Sequence, residues 1–418
     1  MTLAGPQSQA EPTTIGRSYG IAHGYQRSAV PLILLTLGAY VVLKPYYLFP
    51  SGLPQMGDML VAMALPFALL LPRPRQSEDT RRLQLYLILF CCYAALVSLG
   101  WTFALMDPRV ALYATYYAFN LCLMVVCLRV GMLYPRETLL TIAYAIALSA
   151  IVQAALSGIS HDASKLRQIA SFNNPNQLGY WSLLSLCMLW SIAGKIRVKW
   201  YIAVPASLCI IYMAAIALSK SAMISIAVLC LLHFAKKPKL LFIGLLALAP
   251  AYLAVEDSML VGHVKARLEN IGEQQDDTLE ARGYTRIWNF PEYMVVGAGE
   301  GALYRFGEKA DAEAVDTHKG IDGFHEIHST IGTILFSYGA VGLITFGAAL
   351  LCLYRISSAG RFLYLLPPFL HGLTHQGLRF SFLWLLFSVL AILGEMDRAA
   401  ASSPTNKHRP MTRSKEDA

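Results

Sequence analysis

"QLYLILFCCYAALVSLGWTFAL", residues 84–105, carries no charged side chain over the roughly 20 residues that an α-helix needs to cross a bilayer. A helix can carry a backbone through hydrocarbon because its amides are satisfied within the segment. Working outward, comparable apolar stretches fall at 31–49, 57–72, 110–128, 137–157, 177–194, 200–218, 221–235, 240–255, 327–353, 362–376 and 380–395. Together they make about twelve candidate spans, one or two of them short enough to be broken or re-entrant. Composition points the same way: 56% of the chain is hydrophobic and 14% charged, where a soluble domain has about a quarter charged. The expected fold class is an all-α polytopic membrane protein. Residues 1–30 contain no apolar h-region and no small-residue cleavage site, so they read as a short cytoplasmic tail.

Basic residues in the short loops alternate between two sides. Arg73, Arg75, Arg81 and Arg82 share a side with Arg129 and Arg136, with Lys195, Arg197 and Lys199, with Lys236, Lys237 and Lys239, and with Arg355, Arg361 and the tail "NKHRPMTRSKEDA" (406–418). That side is expected to be cytoplasmic and to hold both termini. Lys44, Arg109, Arg167, Lys220 and Arg379 fall on the other side against the rule, which makes them the first functional lead. The net charge of +8 follows from the basic loops and tail, so it is a topology signature and not a sign of nucleic acid. All eight cysteines lie inside or at the ends of spans, and they write no disulfide framework. One segment, 256–326, breaks the rhythm of short loops. The expected organisation is therefore a tail (1–30), nine spans (31–255), a large periplasmic loop or lid (256–326), three spans (327–395) and a cytoplasmic tail (396–418).

Four motifs border the spans on the outer side. In "HEIHST" (325–330), His325 and His328 are three apart with Glu326 directly after the first; a zincin needs its histidines four apart, so neither metal nor cofactor is expected. Histidine's ordinary pKa lies near neutrality, so an outward-facing imidazole at a helix start can take a proton from a hydroxyl; helix capping is the plainer role. In "RQIASFNNPNQLGYW" (167–181), Asn173 or Asn174 can cap a helix with Pro175 in its first turn, and Arg167 beside those N–H groups would make an anion site. "ALSKSA" (217–222) leaves Lys220 almost no loop in which to snorkel away. "ARGYTRIW" (281–288) sets Arg282 and Arg286 on one face if helical. Each alone has a bland reading. Together, four cations from three segments, a helix N-terminus and a histidine could clamp a phosphate group at one membrane face. That suits displacement of a lipid pyrophosphate by a hydroxyl, with the cations offsetting charge on the leaving group.

The order "FNNPNQLGYW", "LSKSA", a long outer loop with "RGYTRIW" and "VGAGEG", then "HEIHSTIGTILFSYGAVGL" resembles the bacterial O-antigen ligase and Wzy-type polysaccharide polymerase superfamily. The resemblance covers about residues 165–395. It implies a GT-C-like, metal-independent glycosyltransferase of the bacterial inner membrane with a periplasmic active site. The donor it implies is an undecaprenyl-pyrophosphate-linked glycan, and the acceptor a lipid-linked glycan or lipid A-core. A flippase, a chain-length regulator and membrane lipids are the further partners. Carried over by position, His328 looks like the family histidine that activates the acceptor hydroxyl, and Arg286 and Arg282 look like loop arginines that contact pyrophosphate. Lys220 falls where the family has an arginine after serine, keeping the charge without the bidentate grip. Arg167 precedes the Asn-Pro-Asn element as a family arginine does. Asn174, Asn176, His325, Glu326 and Arg379 are acceptor-side or structural candidates. His371 and His375, in "HGLTHQGLRF" (371–380), either line the acceptor groove or mark the last outer turn.

"FNNPNQLGYW" with "HEIHS" looks more like exopolysaccharide and capsule members, so a polymerase is the expectation and a ligase the alternative. A transporter or flippase for lipid-linked glycans is the competing class. Transporters carry ionisable groups near the bilayer midplane, whereas these spans read as lacking Asp and Glu, with polar groups at the outer face.

Overall fold

The computed structural model describes residues 14–47, 55–159, 168–235, 237, 239, 262, 283–300 and 327–402; the side chains of 14–28, Arg109, Ile159 and Arg286 lie outside that description. Among the described residues every regular element is helical. In chain order these are α1 (Thr14–Leu43), α2 (Met56–Leu70), α3 (Glu78–Leu105), α4 (Leu112–Leu133), α5 (Pro135–Ile159), α6 (Pro175–Ala193), α7 (Trp200–Ala217) and α8 (Lys220–Phe234). Then come α9 (Thr285–Asn289), α10 (Tyr293–Val296), α11 (Thr330–Ile356), α12 (Ala359–Phe362), α13 (Leu366–His371) and α14 (Ser381–Ser402). Five of them, α3, α4, α5, α7 and α11, are long and apolar enough to cross a membrane, while the apolar parts of α1, α2 and α8 are shorter. The protein is an all-α, multi-pass membrane protein.

The helices begin where the sequence offers a side chain to an orphan N–H. Ser77 accepts from Thr80 N at the start of α3, with Glu78 and Asp79 in the first turn to favour the positive end of the helix dipole. Asn174 accepts from Gln177 N at 2.8 Å ahead of α6, and Pro175 occupies its first position. Ser329 caps α11 through Gly332 N at 3.0 Å. Outward, α1, α2, α3 and α11 show Leu35, Met63, Leu96, Phe103 and Ile344 largely exposed. Such a surface suits lipid and not water.

Two helices form the centre. Leu178–Ile192 of α6 and Ser381–Gly394 of α14 are buried throughout. α6 packs against α5, α7, α8 and α14, and α14 against α4, α5, α6 and α11. Neither is among the five most clearly membrane-crossing helices. They face protein on all sides, and two of their buried serines, Ser182 and Ser388, donate to carbonyls one turn back in the same helix, Leu178 O (2.9 Å) and Trp384 O (3.0 Å).

The basic loops gather at one end around the last turns of α14. Asp397 pairs with Lys195 (2.6 Å) and Arg361, Arg398 with Asp79 (2.8 Å), and Glu395 accepts from Ser77 and Thr80. Burial opposes ionisation of the Asp397 carboxyl, but hydrogen bonds from Arg361 and Lys195 outweigh it and hold its pKa below the usual carboxylate value.

One expectation is corrected and others gain detail. α1 begins at Thr14, ahead of its apolar part at Ala29–Leu43, and α14 runs to Ser402. The stretch read at 362–376 is broken, as was expected of one or two of the short ones: α12, a 3-10 turn (Leu363–Leu365), α13 and then turns. Pro367 and Pro368 can open a helix but supply no N–H to continue one. The spans do hold a buried acid: Asp58, in the first turn of α2. The span read at 240–255 and the C-terminal residues beyond 402 lie outside the described residues, as does most of the loop at 256–326.

Candidate functional site

The end opposite the basic loops carries the polar groups. Lys44, just after α1, reaches Asp58 Oδ1 at 3.1 Å with both side chains less than a twentieth exposed. Asp58 also accepts from Gln55 N (2.9 Å). This lysine, one of the charges against the topology rule, therefore ties α1 to α2. Asp58→Ala would strand a buried ammonium and is expected to lower stability by about 3–5 kcal/mol, with most of the loss recovered when Lys44 is also made Met. Thermal unfolding in detergent measures both. A single variant that melts with the wild type would remove the pair from the account of stability.

Beside it, the segment before α6 is held to α7 by Gln168 N donating to Ile216 O (3.1 Å). α7 stops at Leu218, which takes the left-handed conformation (φ 47°), and Lys220 opens α8 two residues later. Gly179 lets α6 and α8 meet closely: a Cβ there would stand 2.9 Å from Ala222 Cβ and 3.1 Å from Ser219 Cβ. Lys220 is half-buried at the resulting junction.

α11 starts against the turn that follows α13. Ile327 is buried, His328 half-buried and Ser329 buried. Ser329 Oγ donates to Gly372 O (3.1 Å). Thr330 N donates to Gly372 O (2.6 Å), and its Oγ1 donates to His375 O (3.1 Å) while accepting from Gly377 N (2.9 Å). The turn can wrap this closely because Gly372 and Gly377 lack side chains; a Cβ would stand 2.9 Å from Thr330 Oγ1 and 2.6 Å from the Tyr180 hydroxyl, respectively.

From the same turn, His375 Nδ1 lies 3.0 Å from Ser221 Oγ of α8. Its ring stacks on His371 (4.6 Å), which stacks on Tyr180 of α6 (4.5 Å). On the far side the Tyr284 hydroxyl lies 2.7 Å from Ser329 Oγ and donates to Leu373 O (2.5 Å). Gly283, at φ 75°, brings that segment against Ile327, whose Cα would be 3.4 Å from an added Cβ. A continuous seam thus joins the starts of α8 and α11, the 371–377 turn and the "RGYTRIW" segment.

The site's second cluster lies where α4 meets the "VGAGEG" turn. Glu300, 2% exposed, accepts from the Tyr117 and Tyr338 hydroxyls and pairs with Arg379 Nε. Arg379 lies over the Tyr113 ring at 4.4 Å, and Asn120 Nδ2 donates to Leu378 O (3.1 Å).

Of the sequence candidates, Lys220 and His328 flank the seam, on the residues next to Ser221 and Ser329. Asn174 is the α6 cap and Asn176 the second residue of that helix. Arg379 belongs to the Glu300 cluster. Arg286 is in α9, with its side chain outside the description; Arg167, Arg282, His325 and Glu326 lie outside the described residues. Tyr284, Ser221, Ser329 and Glu300 are additions. The first three stand inside quoted motifs as hydroxyls beside charges, whereas Glu300 had only an acid in a glycine-rich turn to mark it. Among the described residues no three His, Cys, Asp or Glu side chains are grouped to hold a metal. No model of a known protein family, and no curated protein, matches the sequence.

Chemically, a half-buried imidazole at a helix start can accept a proton from a hydroxyl. An ammonium in the first turn of α8, whose Ser221 meets the 371–377 turn through His375, favours an anion, as the positive end of the helix dipole also does.

Proposed function

We propose that the protein is a GT-C-like glycosyltransferase with about twelve spans, lying in the bacterial inner membrane with both termini cytoplasmic. In this reading it is a polysaccharide polymerase that joins undecaprenyl-pyrophosphate-linked repeat units at the periplasmic face. One observation supports it above the others: the hydrogen-bonded seam that draws the starts of α8 and α11 and the "RGYTRIW" segment onto one turn. An acceptor sugar hydroxyl attacks the anomeric carbon of the donor, the bond from that carbon to the pyrophosphate oxygen breaks, and the configuration inverts. His328 takes the hydroxyl proton. Lys220, with Arg167, Arg282 and Arg286, offsets the charge on the departing lipid pyrophosphate. Asn174 caps α6, the helix that meets the start of α8 at Gly179.

The test is reconstitution of the purified protein in nanodiscs with an undecaprenyl-pyrophosphate repeat unit and a chelator, the products being resolved on a gel. The expected result is a ladder rising by whole repeat units. Transfer only after lipid A-core is added would replace polymerase by ligase. Silence in both, with movement of the lipid-linked glycan across the bilayer, would replace transfer by transport.

A further inference from the structure

The 283–300 segment meets the 371–380 turn twice. At its first end the Tyr284 hydroxyl donates to Leu373 O (2.5 Å); at its last the Glu300 carboxylate pairs with Arg379 Nε. Just before Glu300, Ala298 N and Gly299 N donate to the Phe336 and Ser337 carbonyls, both at 2.8 Å, beside the break in α11 at Gly339. Glu300 Oε1 accepts from hydroxyls of α4 and α11, Tyr117 and Tyr338, while Oε2 faces the guanidinium. One carboxylate therefore joins α4, α11, the 283–300 segment and the turn before α14. A buried ion pair adds little net stability over an apolar replacement of the same shape, because desolvation opposes the attraction. It does penalise any arrangement that separates the charges. The pair thus holds one alignment of the two segments.

We propose that Glu300 and Arg379 are positioning residues: a latch that keeps the 283–300 segment, with Tyr284 and the helix bearing Arg286, in register with the 371–377 turn and the start of α11. Its effect on transfer rests on the glycosyltransferase reading; its effect on the segment does not. Neither residue touches the reacting atoms in this scheme. Both act through Tyr284, Ser329 and the groups beside them.

Glu300→Gln is the sharpest probe. The amide oxygen can still accept from the two tyrosines, but an NH2 now faces the Arg379 N–H, donor against donor. Two readouts are taken on the full chain in nanodiscs: hydrogen exchange at Ala298 and Gly299, and steady-state transfer kinetics. The variant is expected to exchange at these amides about tenfold faster or more, and to lose on the order of 100-fold in kcat while donor KM stays within about threefold. The double variant E300Q/R379Q, whose two amides can pair, is expected to recover most of both. A role in stability alone would lower the melting temperature without this kcat-against-KM split.

Exchange and kcat at wild-type levels in E300Q, or no recovery in the double variant, would overturn the latch. If the wild type transfers no glycan at all, the functional reading falls and exchange alone decides the latch. Should E300Q not fold, Arg379→Gln removes the guanidinium from Glu300 Oε2 and leaves the carboxylate its two tyrosine hydroxyls. Faster exchange at Ala298 and Gly299 then supports the latch, and unchanged exchange overturns it.

Discussion

His328→Ala is expected, on the proposed glycosyltransferase reading, to slow glycan transfer by about 10²–10⁴-fold and to leave the protein folded. The fold should survive because α11 is held at its start by Ser329 and Thr330, whose bonds to Gly332, Gly372, His375 and Gly377 run through other atoms. The loss should fall on kcat, since an imidazole that takes the acceptor proton acts in the transition state and contributes little to holding the donor. A base works in its deprotonated form, so the wild-type rate rises with pH through the acidic limb of the profile. That limb should vanish in the variant. Transfer by the reconstituted protein, measured across the acid range, checks both. A variant that keeps the wild-type rate and the wild-type acidic limb would remove His328 from the chemistry.

Gly339→Ala should have the largest effect on the fold. Gly339 adopts φ 57° and ψ −156° in the middle of α11, a region that residues with a Cβ enter only under strain of about 1–3 kcal/mol. An added Cβ would also lie 2.5 Å from Val295 O and 2.9 Å from Gly297 N, and crowding of this kind costs a further 1–3 kcal/mol or so. These atoms are backbone, so no side chain can swing aside. The expected total, about 2–6 kcal/mol, is a large part of the usual 5–15 kcal/mol that keeps a protein folded. Gly100→Ala is the control: it lies in α3 with nothing within 4 Å of the new methyl, and helix propensity should make it neutral or mildly stabilising. Size-exclusion profiles and melting curves of the two variants should diverge sharply. Equal profiles would mean that the break at Gly339 tolerates a side chain.

The start of α6 was legible because Asn174 and Pro175 are adjacent letters with strong helix-start preferences, whereas the caps Ser77 and Ser329, no less adjacent, were not read. The five helices long and apolar enough to cross were legible because mean apolarity over about 20 residues is a local property. What joins the helices was not. Arg379 and Lys44 stood out as charges on the wrong side, but their partners are a glutamate 79 residues away and an aspartate 14 residues away, and nothing in the spacing pairs them. Ser221 and His375, 154 residues apart, are likewise joined only by packing. The broken segment at 362–376 shows the converse: leucines, phenylalanine and tyrosine raised the average, while Pro367 and Pro368, which average as ordinary residues, set the backbone. At the candidate site, the border position of His328 and Lys220 was readable. The hydroxyls that link their neighbours were not, because serine and tyrosine are unremarkable letters until a partner is known.

α14 comes after every other described helix in the chain, yet it lies at the middle of them. During synthesis its neighbours therefore reach the bilayer first and cannot close around a core that has not yet been made. The groove among α4, α5, α6 and α11 has to stay open until residues 381–402 leave the ribosome. In that interval the surfaces that later meet Trp384 and Phe387 face lipid or an insertion factor. A chain stopped at Phe380 would thus lose the axle around which the earlier helices assemble, and would present quality-control proteases with an unfilled bundle.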